Sequence, residues 1–245
     1  MSRILLVGES WVTQTTHIKG VDHFTATAYE EGTEWMLRAL AAHDVEHLPA
    51  HLVPSSFPSS FEDYDAVIIS DVGADSVLLH PATLAQSVRT PDRLAALRDF
   101  VLGGGGLAMI GGWMSFSGYE GRAKYGRTAI ADVLPAWMHD GDDRFEAPAG
   151  VTPSVVAPDH PILEGLPSEW PWFLGYNRLF TRDDCEVLLT CGPDPFLAVG
   201  SFGTGRSLVF ASDCAPHWAP PAFLEWEHHD RFWGQAVGWL CDSGG

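Results

Sequence analysis

The segment Leu97–Gly118, LRDFVLGGGGLAMIGGWMSFSG, carries the strongest indication of the fold. Four consecutive glycines cannot hold a packed element together, so they predict a sharp turn from a helix into a strand. The strand Leu107–Ile110 has no polar alternation, which is typical of a parallel strand covered on both faces. Gly111 and Gly112 then let the chain leave the sheet at the edge where open α/β folds place their ligand sites.

The same pattern of buried strands separated by helices extends to both sides of this segment. Continuous apolar runs predict strands at Arg3–Val7, Val45–Leu48, Ala66–Ser70, Glu186–Thr190, Phe196–Val199 and Ser207–Ser212. Helical periodicity predicts helices at Gly32–His43, Leu94–Leu102, Thr128–Leu134 and His229–Leu240. Strands alternating with helices through short links indicate a doubly wound α/β domain with a mainly parallel sheet and helices on both faces.

Three segments lie outside this pattern. We expect Trp11–Tyr29, with its poor periodicity, to be a loop over the sheet edge. Residues 139–180 are rich in proline over much of their length and predict an irregular insertion. Gly203–Arg206 predicts a hairpin turn and not a dinucleotide-binding loop, because no GxGxxG opens a helix there. We expect a single domain over residues 1–245.

Composition excludes several classes of partner. The formal charge of −18 argues against nucleic acid and against an anionic membrane surface, because both repel an acidic protein. No stretch approaches the ~20 apolar residues of a membrane span, and the N-terminus enters a strand with no separate signal region. The four cysteines form no CxxC pair, so neither a zinc knuckle nor a disulfide framework is expected. We predict a cytoplasmic protein that binds a small molecule and needs no metal or other cofactor.

Polar residues follow four of the predicted strands. Because the carboxyl ends of parallel strands share one edge, residues distant in sequence should converge there. The candidate substrate-binding residues are Glu9, Ser10, Trp11, Asp71, Gly111, Gly112 and Trp113. The candidate catalytic residues are Ser115, Asp213, Cys214 and His217.

Each catalytic candidate has a structural alternative. His217 is a candidate general base, because imidazole titrates near neutrality, or else a stacked histidine between Pro216 and a tryptophan. Asp213 could orient it or form a turn. Cys214 could be a thiolate nucleophile or an inert core residue. Ser115 lies where a nucleophile elbow would place its serine, but no GxSxG is present, and a capping hydroxyl is the better interpretation.

With these residues assembled, the chain resembles the class I glutamine amidotransferase-like superfamily. More narrowly, it is similar to the glutamine amidotransferase-like group of uncharacterised bacterial cytoplasmic proteins. The resemblance covers nearly the whole chain, and its motifs include the following: GESW at 8–11, KGVDHF at 19–24, SDVGAD at 70–75, GGGGLAMIGGWMSFSG at 103–118, VLPAWMHDGDDRFEAP at 133–148, HPILEGL at 160–166, WPWFLGYN at 170–177 and GTGRSLVFASDCAPHW at 203–218.

The resemblance implies a flavodoxin-like sheet flanked by helices. In the wider class a cysteine stands on the elbow after a strand, with a histidine and a glutamate after a late strand. Here the elbow offers Gly112, Trp113 and Met114, with no cysteine, and no H-x-E follows at His217. We therefore predict that this chain does not hydrolyse glutamine through the usual Cys-His-Glu triad.

Two functions remain open from the sequence. The first is a hydrolase or transferase for a small polar substrate, with His217 as base, Asp213 as its orienting partner and the amides of Gly111–Trp113 as oxyanion donors. The second is a non-catalytic binding domain for a small polyol or carbohydrate-like ligand, with apolar faces supplied by Trp11, Trp113 and Trp218. The strand-edge and aromatic surfaces are also compatible with a homodimer.

Overall fold

A computed structural model describes residues 1–242. At its centre lies an eight-stranded sheet with the order β4-β1-β5-β6-β14-β13-β12-β9. Its strands are β1 (Arg3–Gly8), β4 (Asp44–Leu48), β5 (Ala66–Ser70), β6 (Gly106–Ile110), β9 (Ser154–Val155), β12 (Glu186–Cys191), β13 (Asp194–Phe202) and β14 (Gly205–Phe210).

The first five strands in this order are parallel, and the last three add antiparallel pairs. Strands β5 and β6 are buried at every residue, as a sheet covered on both faces requires. The mainly parallel, doubly wound α/β sheet predicted from the sequence is confirmed. The predicted turn at Gly203–Arg206 joins β13 to β14 as an antiparallel hairpin.

Helices lie on both faces of the sheet. They are α1 (Glu34–Ala39), α2 (Val53–Ser56), α3 (Ala74–Leu78), α4 (Pro81–Gln86), α5 (Arg93–Leu102), α6 (Pro221–Leu224) and α7 (His229–Cys241). The crossovers β1-α1-β4 and β4-α2-β5 run in opposite directions along the sheet, so right-handed connections place α1 and α2 on opposite faces. Helix α7 packs beside α1, whereas α3 packs against both α2 and α5. Within residues 1–242, no helix has the length and apolar character that crossing a membrane requires.

Four 3₁₀ helices complete the helical content, at Tyr119–Gly121, Tyr125–Arg127, Ala129–Val133 and Pro161–Leu163. The third of these is the short helix predicted between residues 128 and 134. It is a 3₁₀ helix and ends just before Pro135, whose ring cannot continue a helix.

The segment predicted to be a loop over the sheet edge is instead a long hairpin. Strand β2 (Ser10–Lys19) pairs with β3 (Asp22–Glu31) through ten antiparallel residue pairs, closed by a tight turn at Gly20, where φ is +68°. Threonine and other β-branched residues favour an extended backbone, and the two-residue turn fixes the register. The prediction was wrong because the hairpin is exposed on both faces and therefore lacks apolar alternation.

Residues 139–180 are more regular than the sequence predicts. Strands β8 (Arg144–Val151) and β10 (Phe173–Asn177) pair into a small antiparallel sheet, and β11 (Leu179–Thr181) pairs with β7 (Ala136–Met138). These pairings join residues far apart in sequence. Their register is therefore set by tertiary contacts that local periodicity does not reveal.

Candidate functional site

A cavity of about 410 Å³ lies at the carboxyl edge of the parallel strands. Its lining residues come from four strand ends: Glu9, Trp11, Asp71, Trp113, Met114, Asp213, Pro216 and His217. Strands β1, β5, β6 and β14 are consecutive neighbours in the sheet, so the residues that follow them meet at one edge. The expected convergence of Glu9, Asp71, Trp113, Asp213 and His217 is present in the structure.

Three of the seven non-glycine residues with positive φ in residues 1–242 lie at this edge. Glu9, Asp71 and His217 all have positive φ, at +47°, +43° and +147°, which non-glycine residues rarely adopt. Such conformations cost on the order of 1–3 kcal/mol each and cluster at functional sites. Three strained residues in the wall of one cavity therefore mark it as the candidate site.

Glu9 is buried at the base of the cavity. Its Oε2 accepts a hydrogen bond from the Ser70 hydroxyl at 2.5 Å and one from the Cys214 thiol at 3.4 Å. Burial, and then the nearby charge of Asp71, raise the pKa of Glu9 to about 7. This carboxyl can therefore carry a proton at neutral pH, as a general acid must.

Two further carboxyls share this cavity. Asp213 is buried, and burial together with the charges of Glu9 and Asp71 raises its pKa well above the usual range. Burial also raises the pKa of Asp71, although its Oδ1 accepts the Met114 N–H at 2.6 Å, which acts in the opposite direction. Three carboxyls in one cavity repel each other when ionised, so the group holds protons more tightly than separate acids would.

His217 stands at the mouth of the cavity, with 41% of its side chain exposed. Burial of the rest lowers the pKa of His217, although Glu146 and Asp71 oppose the shift, so the imidazole is neutral at physiological pH. Its Nδ1 lies 3.9 Å from Asp213 Oδ2, which is too long for a hydrogen bond. The hydrogen bond to Asp213 that was predicted to orient the imidazole of His217 is therefore not formed. The other carboxyl oxygen, Asp213 Oδ1, accepts the Ala215 N–H at 3.2 Å.

Two tryptophans hold the imidazole in place. The ring of His217 meets Trp113 edge-on at 5.0 Å between centroids and stacks on Trp218 at 5.3 Å. Both indole N–H groups donate to the Glu146 carboxylate, at 3.2 Å from Trp113 and 2.9 Å from Trp218. Arg144 lies over the face of Trp113, 4.7 Å from its centroid. Glu146 thus fixes both aromatic neighbours of His217.

Asn177 fixes the glycine turn after β6. Its Oδ1 accepts the Gly112 N–H at 3.0 Å, and its Nδ2 donates to Gly112 O at 3.1 Å and to Asp143 Oδ1 at 2.8 Å. The Gly111 N–H donates to Phe210 O at 2.8 Å. The amides of Gly111 and Gly112 are therefore already bonded within the protein. Neither amide is free to serve as the predicted oxyanion donor in this structure. The predicted substrate contacts of Gly111 and Gly112, and the donor role of the Trp113 amide, stay predictions.

Gly112 is required where it stands. Its φ is +141°, and a Cβ there would lie 2.6 Å from Asp71 Oδ1. The glycine therefore allows the chain to pass close beside the cavity carboxyl, which is a geometric role and not a chemical one.

Neither Glu146 nor Asn177 follows one of the predicted strands, so the strand-end argument misses both. They lie in strands β8 and β10, within the predicted insertion. Their only signal in the sequence is that they belong to the family-like motifs at 133–148 and 170–177.

Three other predicted site residues serve the fold. Ser115 is buried and its Oγ accepts the Asp71 N–H at 3.1 Å, which matches the capping interpretation and rules out an exposed nucleophile. Ser10 Oγ accepts the Ala50 N–H at 2.8 Å, on the far side of Trp11 from the cavity. Cys214 is fully buried, and burial raises the pKa of its thiol well above the usual range, so it is no thiolate.

One trio among the described residues has potential metal ligands in reach of each other. The ligand atoms of Glu9, Asp213 and Cys214 lie within 4.8 Å of one another. In this arrangement the Cys214 thiol keeps its proton and donates a hydrogen bond to Glu9. A metal-bound cysteine, in contrast, loses its proton. That no metal is needed stays a prediction.

Comparisons with known proteins identify the family and the fold. The family model described as "Putative glutamine amidotransferase" matches residues 3–242. Cytoplasmic Protein STM3548 from Salmonella typhimurium is 40% identical, with a TM-score of 0.93 over 98% of this chain and 99% of that one. Cytoplasmic Protein STM1381 from Salmonella typhimurium LT2 is 43% identical, with a TM-score of 0.92 over 97% of this chain and 99% of that one.

More distant structures share the fold alone. A "Putative thua-like protein" from Parabacteroides merdae is 12% identical, with a TM-score of 0.60 over 98% of this chain and 90% of that one. Among curated proteins, none matches this chain. The names of both Salmonella proteins agree with the cytoplasmic location that the sequence predicts. On the match over nearly its full length, the chain belongs to the glutamine amidotransferase-like family.

Proposed function

We propose that this protein is a hydrolase, or a transferase with a hydroxyl acceptor, that acts on a small polar substrate by acid–base catalysis without a covalent enzyme intermediate. One observation carries the proposal: the same cavity holds a neutral imidazole at His217 and a protonatable carboxyl at Glu9. Two titratable groups whose environments favour opposite proton-transfer roles are the usual basis of an acid–base pair.

In this reaction His217 accepts a proton from water or from an acceptor hydroxyl. The activated oxygen forms a bond to the electrophilic carbon or other centre of the substrate, and the bond to the leaving group breaks. Glu9 donates its proton to that leaving group. The imidazolium and the glutamate carboxylate then exchange the proton through solvent, which restores the starting state.

The buried thiol supports a mechanism without covalent catalysis. Cys214 follows β14 and is held inside the protein by hydrogen bonds to Glu9 and Ser70, whereas a nucleophile must reach the substrate. The elbow after β6 holds Trp113 and Met114 in the cavity wall. The thiolate route of the wider superfamily therefore has no group to carry it at either position.

The cavity also restricts the charge of the substrate. Any of the three carboxyls that is ionised repels phosphates and other anions, and the carboxyl oxygens accept hydrogen bonds from hydroxyl, amide or amine donors. We therefore expect neutral or cationic substrates.

The alternative of a non-catalytic domain for a polyol or carbohydrate-like ligand has one observation in its favour. Trp11 and Trp113 present partly exposed indole faces beside the cavity carboxyls, whereas Trp218 is fully buried and offers no face to a ligand. Sugar rings commonly use both features, an apolar face for stacking and acceptors for their hydroxyls. This alternative needs no proton transfer by His217.

A panel of small amides, esters, glycosides and polyols tests the proposal, with product release and thermal stabilisation measured in parallel. The variants are His217→Gln, Glu9→Gln and, as the matched control inside the same buried cluster, Cys214→Ala. We expect turnover of one compound class that falls at least a hundredfold in the first two variants and survives in Cys214→Ala.

Two outcomes contradict acid–base catalysis at this site. Loss of turnover in Cys214→Ala with retention in His217→Gln would restore a thiol mechanism. A compound that stabilises the wild type and His217→Gln equally, with no turnover in either, would favour the binding domain.

A further inference from the structure

The β2–β3 hairpin, referred to below as the arm, projects from the body of the molecule. Every residue from 11 to 31 is exposed. Its contacts with the body lie at its root, where Ser10 Oγ accepts the Ala50 N–H and Tyr29 meets His51 edge-on at 5.2 Å. Ten residue pairs make the arm about 34 Å long, at about 3.4 Å per residue.

An isolated two-stranded ribbon of this kind is unusual. A two-stranded hairpin is at best marginally stable in water, because it buries too little apolar surface. Each strand of the arm also leaves one edge of N–H and C=O groups unpaired in the described chain. Natural proteins protect such edges with charged residues, proline or a covering element.

The arm lacks this protection. Residues 12–18 and 23–29 contain no Asp, Glu, Lys, Arg or Pro, although the chain as a whole carries 32 acidic and 14 basic residues. The charged residues of the arm lie at its tip, Lys19 and Asp22, and at its root, Glu30 and Glu31. Apolar side chains project from both faces: Ile18 is 75% exposed on one, and Phe24 is 53% exposed on the other.

The charge distribution permits a second copy of this chain as the occupant. A second copy of this chain also carries a net charge of −18, so two copies repel each other over most of their surface. The uncharged middle of the arm is where they can approach without that repulsion. An open antiparallel edge is also self-complementary about a two-fold axis, as a symmetric dimer requires.

From these observations we propose that the arm is a dimerisation element, which packs against the arm of a second copy of this chain. Pairing of one open edge from each arm would join the two ribbons into a four-stranded antiparallel sheet. Three or more strands are what a ribbon of this kind needs for stability of its own.

Sedimentation equilibrium at micromolar concentrations tests the proposal, with unfolding followed by circular dichroism. In the first variant, Asn-Gly replaces residues 14–27, which shortens the arm without changing the net charge. The second variant is Ile18→Glu with Phe24→Glu, one change on each face. The control is Leu84→Glu, which places one glutamate on α4 at a residue as exposed as Ile18.

We expect the wild type and Leu84→Glu to have twice the 26.7 kDa chain mass, and both arm variants to have the mass of one chain. Both arm variants should keep the helix signal and the cooperative unfolding of the wild type, because they change no core residue. The shortened variant should lose only the strand signal of the residues that it removes. A monomeric wild type, or a dimer that survives arm shortening, would overturn the proposal. The oligomeric state found in this experiment leaves the proposed function of the cavity untouched, whichever way the experiment turns out.

Discussion

Replacing Glu9 with glutamine should change how the stability of the protein depends on pH. The pKa of Glu9 is raised from 4.5 to about 7 in the folded state. The native protein therefore binds this proton more tightly than the unfolded chain does. Ionising Glu9 costs stability as pH rises from about 4.5 to about 7, and the full cost applies above that window.

The size of this effect follows from the shift. At 1.36 kcal/mol per pKa unit, the difference between 4.5 and about 7 corresponds to about 3 kcal/mol of stability lost at alkaline pH. Glutamine resembles the protonated carboxyl, since it offers one acceptor to Ser70 and donors towards the neighbouring carboxyls. Glu9→Gln should therefore be more stable than the wild type by up to about 3 kcal/mol at pH 8, with little difference at pH 4.

Denaturant unfolding at a series of pH values between 4 and 9, followed by circular dichroism, measures the free energy of unfolding for each protein. The control is Glu62→Gln, which removes the same charge from an exposed position. The wild type and the control should lose stability in parallel as pH rises, and Glu9→Gln should lose less. A Glu9→Gln protein with the same pH dependence as the wild type would refute the assignment of a proton to this carboxyl.

Three further predictions concern the groups around the cavity. Glu146→Gln should lower the pKa of His217 further, because the Glu146 carboxylate raises that pKa in the wild type. An NMR titration of the imidazole measures the pKa, and an unchanged value in the variant would contradict the prediction. Asn177→Ala should lower the free energy of unfolding, measured with denaturant, by about 2 kcal/mol or more, because it leaves the Gly112 amide buried and unpaired. A decrease below about 0.5 kcal/mol would show that the glycine turn is stable without the Asn177 side chain. Cys214 should resist iodoacetamide at neutral pH until the protein unfolds, and rapid labelling of the native state, located by mass spectrometry, would refute its burial as a thiol.

Much of the site could be predicted from strand ends. Glu9, Asp71, Trp113, Asp213 and His217 lie after four buried strands, and parallel strands bring such residues to one edge. This inference needs only apolar runs and the residues that end them. Both are local features of the chain.

The remaining features depend on which atoms meet, and the local pattern does not contain that information. Ser115 and Cys214 have the right position for nucleophiles but are buried by their neighbours, so neither can attack a substrate. The Gly112 amide is already bonded to Asn177, which lies 65 residues further along the chain. Burial and pairing of this kind are set by packing.

The sequence by itself determined the doubly wound sheet and the edge at which its polar residues gather, because strand burial and strand ends are written in the local order of apolar and polar residues. Only the tertiary structure decided the raised pKa of Glu9, the placing of His217 between Trp113 and Trp218, and the projection of the arm. Desolvation, ring contacts and exposure depend on segments that are distant in sequence and become neighbours only when the chain folds.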